Sequence, residues 1–505
     1  MTILLQWKWQ ILAPLLGFLL TLTFAPYNFS YFAPIALVFF YSFCALQTPN
    51  RAAVSGYLFG LGLFGSGIWW VYVSIHDFGG AEPFFAGFLT FLLVALWAFF
   101  PALTAFLSAK VFVLAGVWFR ILALGLVWVA VEYLRGYWLL NGFPWLQIAY
   151  SQLNTPLAGY APVLGVYGVG FLLAVSACIL FECWRQHGFR LLGILILSVI
   201  WGAGWGLQQV QWTHAIGEPI TVTLIQGNID QDQKWQDNQK RRTLALYRDL
   251  TEQHWDSNVI IWPETSVPAF LSEVKTYFLD PLSAQARQHG VDIVVSLPTE
   301  GVGRDYFNSV MTLGHTEALY QKQHLLPFGE YLPLQPVSGW VLDQLNIPLG
   351  SFTAGAALQP LLKAGGYAFV TTICYEDAFG ELVAQQVEQA AYLVNVTNDA
   401  WFGDTSEPYQ HMQLAQMRAL ETGRYLVRAT NTGLTGFVLP NGQISKQAPL
   451  FETTTLTDTI MPMAGLTPYA RMGDKIVFAG LSVMVIFAFA VSITRQNPAA
   501  RKSWF

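Results

Sequence analysis

The chain has 505 residues, of which 54% are hydrophobic and only 11% are charged. Soluble globular proteins carry about 25% charged residues, so the composition excludes an ordinary soluble protein and indicates extensive contact with lipid. The formal net charge of −5 gives no sign of a basic, nucleic-acid-binding surface. The 19 Trp, 21 Tyr and 37 Phe fit a membrane protein, because aromatic rings concentrate at membrane interfaces.

Long apolar runs in the sequence predict transmembrane helices, each of which needs roughly 20 mostly apolar residues. The first run lacks a convincing signal-peptidase site, so we expect it to be the first membrane helix. The sequence predicts about eight such helices, seven before a long polar stretch and one after it. They cover residues 9–25, 31–47, 54–75, 84–109, 113–135, 163–184, 190–209 and 475–494.

The polar stretch is long enough to form one complete domain. We therefore expect a helix bundle at residues 1–211, an α/β domain at 212–472, and a final membrane helix with its tail at 473–505. Lys and Arg in the short loops fall almost entirely on the side shared by the two termini, Arg135 being the exception. Because cytoplasmic loops carry the excess of positive charge, both termini are predicted to be cytoplasmic and the α/β domain to lie outside.

Within the polar stretch, short runs rich in Val, Ile and Leu alternate with amphipathic segments. This alternation predicts an α/β sheet covered by helices. Segments 265–275 and 332–360 are predicted loops, and the second is either a lid or ordinary loop packing. The predicted helices are 236–255, 271–289, 378–389 and 408–423, and the predicted strands are 220–227, 258–263, 291–297, 306–313, 318–324, 367–374, 391–397, 425–430 and 434–439.

Cys374 differs from the other three cysteines, which lie in apolar runs and suggest no disulfide framework. It ends a predicted strand and is followed by Tyr375 and Glu376. Ligands bind where the strands of an α/β sheet end, and a thiolate there would be a nucleophile. The alternative is a buried structural cysteine.

Two further residues suggest acyl-transfer chemistry. Glu264 ends an apolar run, where partial desolvation would raise the pKa of its carboxyl into the range that suits a general base. Lys322 is predicted within a strand, on one face with Tyr320 and His324. An ammonium beside a thiol would lower the thiol pKa and stabilise an oxyanion. The alternatives are a turn glutamate and an exposed strand lysine.

The segments Trp262-Pro-Glu264, Tyr320-Gln-Lys322 and Ile373-Cys-Tyr-Glu376 closely resemble motifs of the nitrilase superfamily, which uses a Glu-Lys-Cys triad on an αββα sandwich. Over nearly the whole chain, the sequence resembles the apolipoprotein N-acyltransferase family of bacterial membrane enzymes, which finish lipoprotein maturation. Further matching motifs stand at 226–228, 234–235, 326–333, 398–403, 410–411, 417–421, 431–433 and 466–471.

The resemblance implies a role for each matching residue. Glu264 would be the general base, Cys374 the nucleophile and Lys322 the cation that stabilises the oxyanion. Four further residues would be supporting or substrate-binding positions. Glu330 would orient Lys322, and Tyr375 and Glu376 match positions that the family requires. Trp235 matches a residue at the mouth of the site or simply packs on the core.

Other polar motifs are expected to be structural. Arg418 and Glu421 are three residues apart on a predicted helix and should form a salt bridge. His411 is not expected to be the base, since Glu264 fills that role. No Cys/His spacing typical of a metal site occurs, and neither a metal nor another cofactor is predicted.

The resemblance implies transfer of an acyl chain from a phospholipid, with phosphatidylethanolamine as the expected donor, to diacylglyceryl apolipoproteins. It also implies a location in the bacterial inner membrane with the catalytic domain in the periplasm. The sequence does not indicate an oligomeric state, and a monomer is the default expectation. One alternative is a membrane-tethered amidase or nitrilase that uses water as the acceptor. The other is a transporter or receptor with a degenerate hydrolase-like domain, against which the presence of all three triad residues argues.

Overall fold

The computed structural model describes residues 2–114, 116–303, 305–333, 339, 352–475, 479–480 and 482–483. The predicted helix at 475–494 therefore lies almost entirely outside the described residues. Each of the other seven predicted membrane helices overlaps an observed helix, although the one at 54–75 is interrupted. The helices of the apolar part are α1 (Thr2–Thr21), α2 (Phe32–Leu46), α3 (Pro49–Gly67), α4 (Val71–Val73), α5 (Pro83–Leu114), α6 (Val117–Tyr137), α7 (Ala161–Arg185) and α8 (Arg190–Leu207).

The lengths of these helices support a smaller number of membrane spans than the sequence predicts. In the described part of the chain, four helices, α5 to α8, are long and apolar enough to cross a membrane. Helix α3 meets the combined requirement of length and apolar composition only together with the segment after it, across a bend of 61°. The apolar part of α1 and the whole of α2 are shorter than a span. By length and composition, the described residues therefore include four or five helices that could span a membrane, which fits a membrane protein, and the count of eight is not confirmed.

The continuous helix predicted at 54–75 is wrong, because the chain bends after Gly67. The carbonyl of Gly67 accepts hydrogen bonds of 3.1 Å from the indole of Trp70 and the amide of Gln410. Because side chains donate to this carbonyl, it does not need a backbone N–H of the next helical turn, and the helix can end there. Beyond the bend, the chain continues as α4 and a π-helical turn at Ser74–Phe78.

Small residues bring α1 and α3 into close contact. A Cβ atom on Gly62 would lie 1.9 Å from the carbonyl oxygen of Pro14, and one on Gly17 would lie 2.0 Å from that of Phe59. Neither position therefore accepts a larger residue without moving a backbone. Close approach through small residues is the usual way in which helices pack in a membrane.

The described residues of the polar part form two six-stranded sheets. Their strand orders are β13-β2-β3-β4-β5-β6 and β12-β11-β10-β9-β8-β7, and β1 pairs with β14 separately. The strands are β1 (His214–Ala215), β2 (Ile220–Gln226), β3 (Val259–Ile261), β4 (Asp292–Glu300), β5 (Tyr306–Leu313), β6 (Leu319–Gln321), β7 (Leu362–Ala364), β8 (Tyr367–Ile373), β9 (Tyr392–Thr397), β10 (Leu426–Thr430), β11 (Gly436–Val438), β12 (Ile444–Gln447), β13 (Thr454–Ile460) and β14 (Met463–Ala464). The helices are α9 (Asp237–Glu252), α10 (Leu271–Val274), α11 (Asp280–His289), α12 (Gly380–Ala384), α13 (Glu407–Thr422) and α14 (Pro468–Met472).

The sheets face each other across an apolar core that includes Ile261 of one sheet and Phe369 of the other. Their outer faces are covered by helices. Ile260 belongs to a buried cluster with Leu282 of α11, and Leu393 belongs to one with Met412 of α13. The layers are helix, sheet, sheet and helix, which is the αββα sandwich expected from the sequence.

All nine predicted strands are present, but five strands of the described structure were not predicted: β1, β7, β12, β13 and β14. Strand β13 reads Thr-Thr-Leu-Thr-Asp-Thr-Ile, which lacks apolar alternation because the strand lies at the sheet edge and is half-exposed. The predicted helix 271–289 is interrupted by a π-helical turn before Asp280, where Pro281 provides no N–H for a continuous helix. The predicted helix 378–389 contains only α12 and a 3-10 turn.

The sandwich and the bundle share one apolar core. Tyr375 and Phe379, which follow β8, belong to the same buried cluster as Trp145 of the bundle. Leu414 and Met417 of α13 belong to it as well. The end of β8 is therefore held by packing from both parts of the protein.

Candidate active site

Cys374 stands directly after β8, in the left-handed backbone conformation with φ of 51°. Few non-glycine residues adopt this conformation, and those that do cluster at functional sites. The carbonyl oxygen of Cys374 accepts from the Asn395 amide at 3.4 Å and contacts the His411 Nε2 at 3.3 Å. Although part of the residue is exposed, burial of the thiol, aided by the charge of Glu264 and opposed by Lys322, raises its pKa to about 12. The thiol therefore needs a base.

Glu264 is buried at the end of the segment that follows β3. One of its carboxylate oxygens accepts a hydrogen bond of 2.7 Å from the side-chain amide of Asn308. Burial raises the pKa of this carboxyl, and the nearby Lys322 ammonium opposes the rise. The same carboxylate interacts electrostatically with the Cys374 thiol, so a proton acceptor and the thiol share one desolvated site.

Lys322 is almost completely buried and donates to Glu330 at 2.8 Å. Burial alone would lower the pKa of Lys322, but the carboxylates of Glu330 and Glu264 outweigh it and raise the pKa above its usual value. The ammonium therefore stays charged, with an electrostatic interaction to Cys374. A fixed cation beside the thiol is suited to stabilise negative charge on sulfur or on an oxyanion.

The expected position of Lys322 within a strand is wrong. Strand β6 ends at Gln321, and the side chains expected on one face diverge. The Tyr320 hydroxyl donates to Glu376, Lys322 donates to Glu330, and the His324 ring contacts the carbonyl of Asn141 at 2.8 Å. Lys322 thus projects from the loop that follows the strand.

Asn308 connects the two glutamates of the site and was missed by the sequence analysis. Its amide nitrogen donates to Glu264 at 2.7 Å and to Glu330 at 3.1 Å. Glu330 in turn accepts from the backbone N–H of Leu326 at 2.8 Å. The available signal was a buried amide in the middle of the apolar strand β5, whose partners the sequence does not specify.

Comparisons with known proteins identify the family. The model of the apolipoprotein N-acyltransferase N-terminal domain matches residues 16–179, and that of the carbon-nitrogen hydrolases matches 221–469. The apolipoprotein N-acyltransferase of Methylococcus capsulatus is 51% identical over 472 residues, which is 92% of this chain and 93% of that protein. That of Nitrosomonas europaea is 43% identical, covering 87% of this chain and 88% of that protein. The chain belongs to the apolipoprotein N-acyltransferase family.

Solved structures also match part of this acyltransferase. The C. elegans NitFhit protein has a TM-score of 0.39 at 16% identity, covering 55% of this chain and 65% of that one. A mutant of the Nesterenkonia AN1 amidase from the nitrilase superfamily has a TM-score of 0.38 at 18% identity, covering 53% of this chain and 99% of that one.

Glu376 of the acyltransferase anchors the chain on both sides of the thiol. It accepts the backbone N–H groups of Ile373 at 2.8 Å, Gln323 at 2.6 Å and His324 at 3.1 Å. The Tyr320 hydroxyl lies 3.1 Å from both carboxylate oxygens. Burial raises the pKa of Glu376 to about 7, against the lowering effect of Lys322 and of these N–H groups. The side chain therefore ties the end of β8 to the loop that carries Lys322.

Tyr375 directs its side chain into the bundle. Its hydroxyl donates to the Gly142 carbonyl at 2.9 Å, and its ring stacks on Trp145 with 6.4 Å between centroids. Gly142 and Trp145 belong to the segment between α6 and α7. The residue after the thiol is thus fastened to the membrane part of the acyltransferase.

Trp235 is half-exposed, unlike a residue packed in the core. The preceding residue, Lys234, is buried and places its ammonium 3.4 Å from the Glu264 carbonyl oxygen. Residues 234–235 form one of the matching motifs, but the sequence predicts no role for Lys234 itself. Of the predicted loop at 332–360, residues 334–338 and 340–351 lie outside the described residues.

A buried ionic cluster lies behind Cys374. His411 contacts Asp377 at 3.1 Å and Asp399 at 2.9 Å through its two ring nitrogens. Arg428 contacts the same two carboxylates at 3.0 and 3.2 Å. Burial and Arg428 would lower the pKa of His411, but the two aspartates raise it well above its usual value. His411 is therefore a structural cation and not a free base.

The same cluster includes Glu407, and Asp399, Glu407 and His411 offer ligand atoms within 4.8 Å of one another. Such spacing is compatible with a metal ion, which the sequence analysis did not predict. However, both His411 nitrogens already face carboxylates, and the Arg428 guanidinium occupies the other side of Asp399. Two aspartates balance one arginine and one protonated histidine. Burial and the charge of Asp399 raise the pKa of the third carboxyl, Glu407, to about 7, so the cluster has little excess negative charge to hold an additional cation.

The expected salt bridge between Arg418 and Glu421 is confirmed, at 2.9 Å and fully buried. Its role reaches beyond α13. Glu421 also accepts the backbone N–H of Val166 at 2.6 Å, where α7 is broken by Gly165 with φ of 68°. The pair thus joins the sandwich to a kinked helix of the bundle.

Proposed function

We propose that this acyltransferase transfers an acyl chain from a phospholipid to the α-amino group of the N-terminal diacylglyceryl-cysteine of apolipoproteins, through a thioester on Cys374. N-acylation of apolipoproteins in lipoprotein maturation follows from membership of the family. The route through the thioester is supported by one observation above all. Cys374, Glu264 and Lys322 form one electrostatically coupled, desolvated cluster at the end of a strand.

In the first half-reaction, Glu264 accepts the proton of Cys374 and the sulfur attacks the carbonyl carbon of a phospholipid ester. Lys322 stabilises the negative charge that forms on the carbonyl oxygen of the ester, a contribution of roughly 3 kcal/mol for one such donor. The C–O bond of the ester then breaks, and Glu264 returns the proton to the lysophospholipid alkoxide. The acyl chain remains on the sulfur as a thioester.

In the second half-reaction, the α-amino group of the diacylglyceryl-cysteine attacks the thioester. An α-amino group has a pKa of about 8, so a useful fraction is neutral near neutrality. Glu264 accepts the proton that the nitrogen loses as the C–N bond forms, and the C–S bond breaks. That proton returns to the Cys374 thiolate. The product is an amide, and the mechanism requires neither a metal nor an organic cofactor.

We place the protein in the bacterial inner membrane, with both termini in the cytoplasm and the αββα sandwich in the periplasm. The distribution of Lys and Arg in the short loops supports this orientation. We further propose eight membrane helices, with the bundle at 1–211, the catalytic domain at 212–472 and the last helix within 473–505. Phosphatidylethanolamine is the proposed donor, and a monomer is the proposed functional unit.

Intact-protein mass spectrometry after incubation with phosphatidylethanolamine tests the proposal. We expect a mass gain of one acyl chain in the wild type and none in Cys374→Ala. Cys183→Ala is the matched control, since Cys183 is the other partly exposed cysteine and should leave the adduct unchanged. A diacylated N-terminal cysteine peptide should then remove the adduct and gain its mass. An adduct removed only by water would indicate a hydrolase, and no adduct would refute the thioester route.

A further inference from the structure

Lys234 places a second buried ammonium at the site. Its side chain is 2% exposed, and in the described part of the chain its single hydrogen bond is the one to the Glu264 carbonyl, at 3.4 Å. An ammonium has three N–H donors, so most of its hydrogen-bonding capacity is unused there. A buried cation with so few partners is costly unless an anion lies nearby. The anion that interacts with Lys234 is the carboxylate of Glu264.

The count of charges explains why the site contains two lysines. Glu264 and Glu330 are two buried carboxylates, and Lys322 is bonded directly to Glu330 at 2.8 Å. Without Lys234, two carboxylates would face one ammonium, and the excess negative charge would favour protonation of Glu264. With Lys234, two carboxylates face two ammonium groups.

The remaining charged groups around the site are matched elsewhere. Glu376, which also interacts with Lys322, is held by three backbone N–H groups. On the far side of Cys374, His411 and Asp399 are paired at 2.9 Å. Lys234 is therefore a second cation beside Glu264, in addition to the Lys322 ammonium, which also opposes the rise in the pKa of that carboxyl.

The segment that carries Lys234 is itself fixed in place. Asn398 donates to the side chain of Gln231 at 2.7 Å, and Asn431 donates to the carbonyl of Ile229 at 2.8 Å. Both asparagines belong to the opposite sheet, at the ends of β9 and β10. Lys234 thus approaches Glu264 from a loop held by hydrogen bonds across the sandwich.

We infer that Lys234 is a positioning residue for the general base: its charge keeps Glu264 ionised, and its hydrogen bond holds the turn that carries Glu264. The inference depends on the proposed function, in which Glu264 accepts the proton of Cys374. It predicts that the loss of this charge changes the pH at which the base becomes active.

The test measures the rate of thioester formation in a single turnover over a series of pH values. Lys234→Met removes the charge at nearly constant length, and Lys234→Arg keeps it. In the plot of rate against pH, the rising limb on the acidic side should move to higher pH by about one pH unit in the Met variant. At a given pH on that limb, the rate of the Met variant should therefore be roughly tenfold lower than that of the wild type. The two rates should converge above the limb. The Arg variant should retain the wild-type limb.

Two results would overturn the inference. A Met variant slowed equally at every pH would show a purely structural role, and equal shifts in the Met and Arg variants would show that size matters and charge does not. Lys234→Gln, which is neutral but can donate to the Glu264 carbonyl, repeats the test if Lys234→Met unfolds in a thermal melt. A wild type that forms no thioester would instead refute the proposed function.

Discussion

Replacement of Glu376 by Gln should release the nucleophile from its conformation. The carboxamide has one oxygen, which can accept the N–H groups of Gln323 and His324, while its NH2 group then faces the N–H of Ile373. Two donors cannot bond each other. A lost hydrogen bond to a charged group costs roughly 1.5–3 kcal/mol, and the buried N–H left without a partner costs about 1–3 kcal/mol more.

The sum, roughly 2.5–6 kcal/mol, exceeds the roughly 1–2 kcal/mol that one residue costs in the left-handed conformation. Cys374, with φ of 51°, should therefore relax away from its position beside Glu264. Each 1.36 kcal/mol lost from transition-state stabilisation slows a reaction about tenfold, so thioester formation should fall by roughly two to four orders of magnitude.

Single-turnover mass spectrometry of the acyl-enzyme measures this rate, and a thermal melt checks that the variant is folded. Tyr320→Phe is the matched control, because it removes the hydroxyl from Glu376 but leaves all three N–H bonds intact. We expect the control to lose about tenfold or less. The reasoning is refuted if Glu376→Gln stays within tenfold of the wild type, or if both variants lose equally.

Three further outcomes follow from the described contacts. The rate of thioester formation should rise with pH through the pKa of Glu264, because only the ionised carboxylate accepts the proton of Cys374. Burial raises this pKa above its usual value. A rate that does not change with pH would contradict the expectation. Glu182→Leu should reduce the free energy of unfolding in detergent by about 3–5 kcal/mol, because it removes the buried carboxylate that pairs with Arg120 at 2.8 Å. Leucine at both positions should recover most of that loss. Gln410→Leu should reduce stability by about 1–3 kcal/mol, measured by thermal unfolding, because the buried indole N–H of Trp145 loses its acceptor, whereas that of Trp70 keeps the Gly67 carbonyl.

Local patterns in the sequence predict an α/β sheet covered by helices and the placement of Cys374 and Glu264 at strand ends. The two-sheet αββα sandwich is implied by the resemblance to the nitrilase superfamily and not by these patterns. Apolar runs mark the buried strands, and the polar residue that ends each run marks a sheet edge. The position of Lys322 could not be predicted in this way. The alternation continues to His324, but Glu376 accepts the N–H groups of residues 323 and 324, which are then not used in the sheet.

Other features depend on partners that are distant in the sequence. The bend after Gly67 occurs where Gln410, 343 residues away, satisfies a carbonyl. Asn308 and Arg428 look like isolated polar residues in apolar strands until the carboxylates that they bind are known. Hydropathy and periodicity report on local burial and contain no information about such pairs.

Tyr375 and Phe379 pack continuously against the bundle. The change from apolar to polar sequence near residue 212 therefore does not separate two parts that can move independently. A water-soluble fragment that contains only the sandwich would retain every proposed reacting group, yet it would lose Trp145 and Gly142, the partners of Tyr375. Helix tilt and spacing in a bilayer depend on its thickness. We therefore expect the lipid composition around the bundle to act on the nucleophile itself, so that the membrane tunes the reaction as well as supplying its substrates.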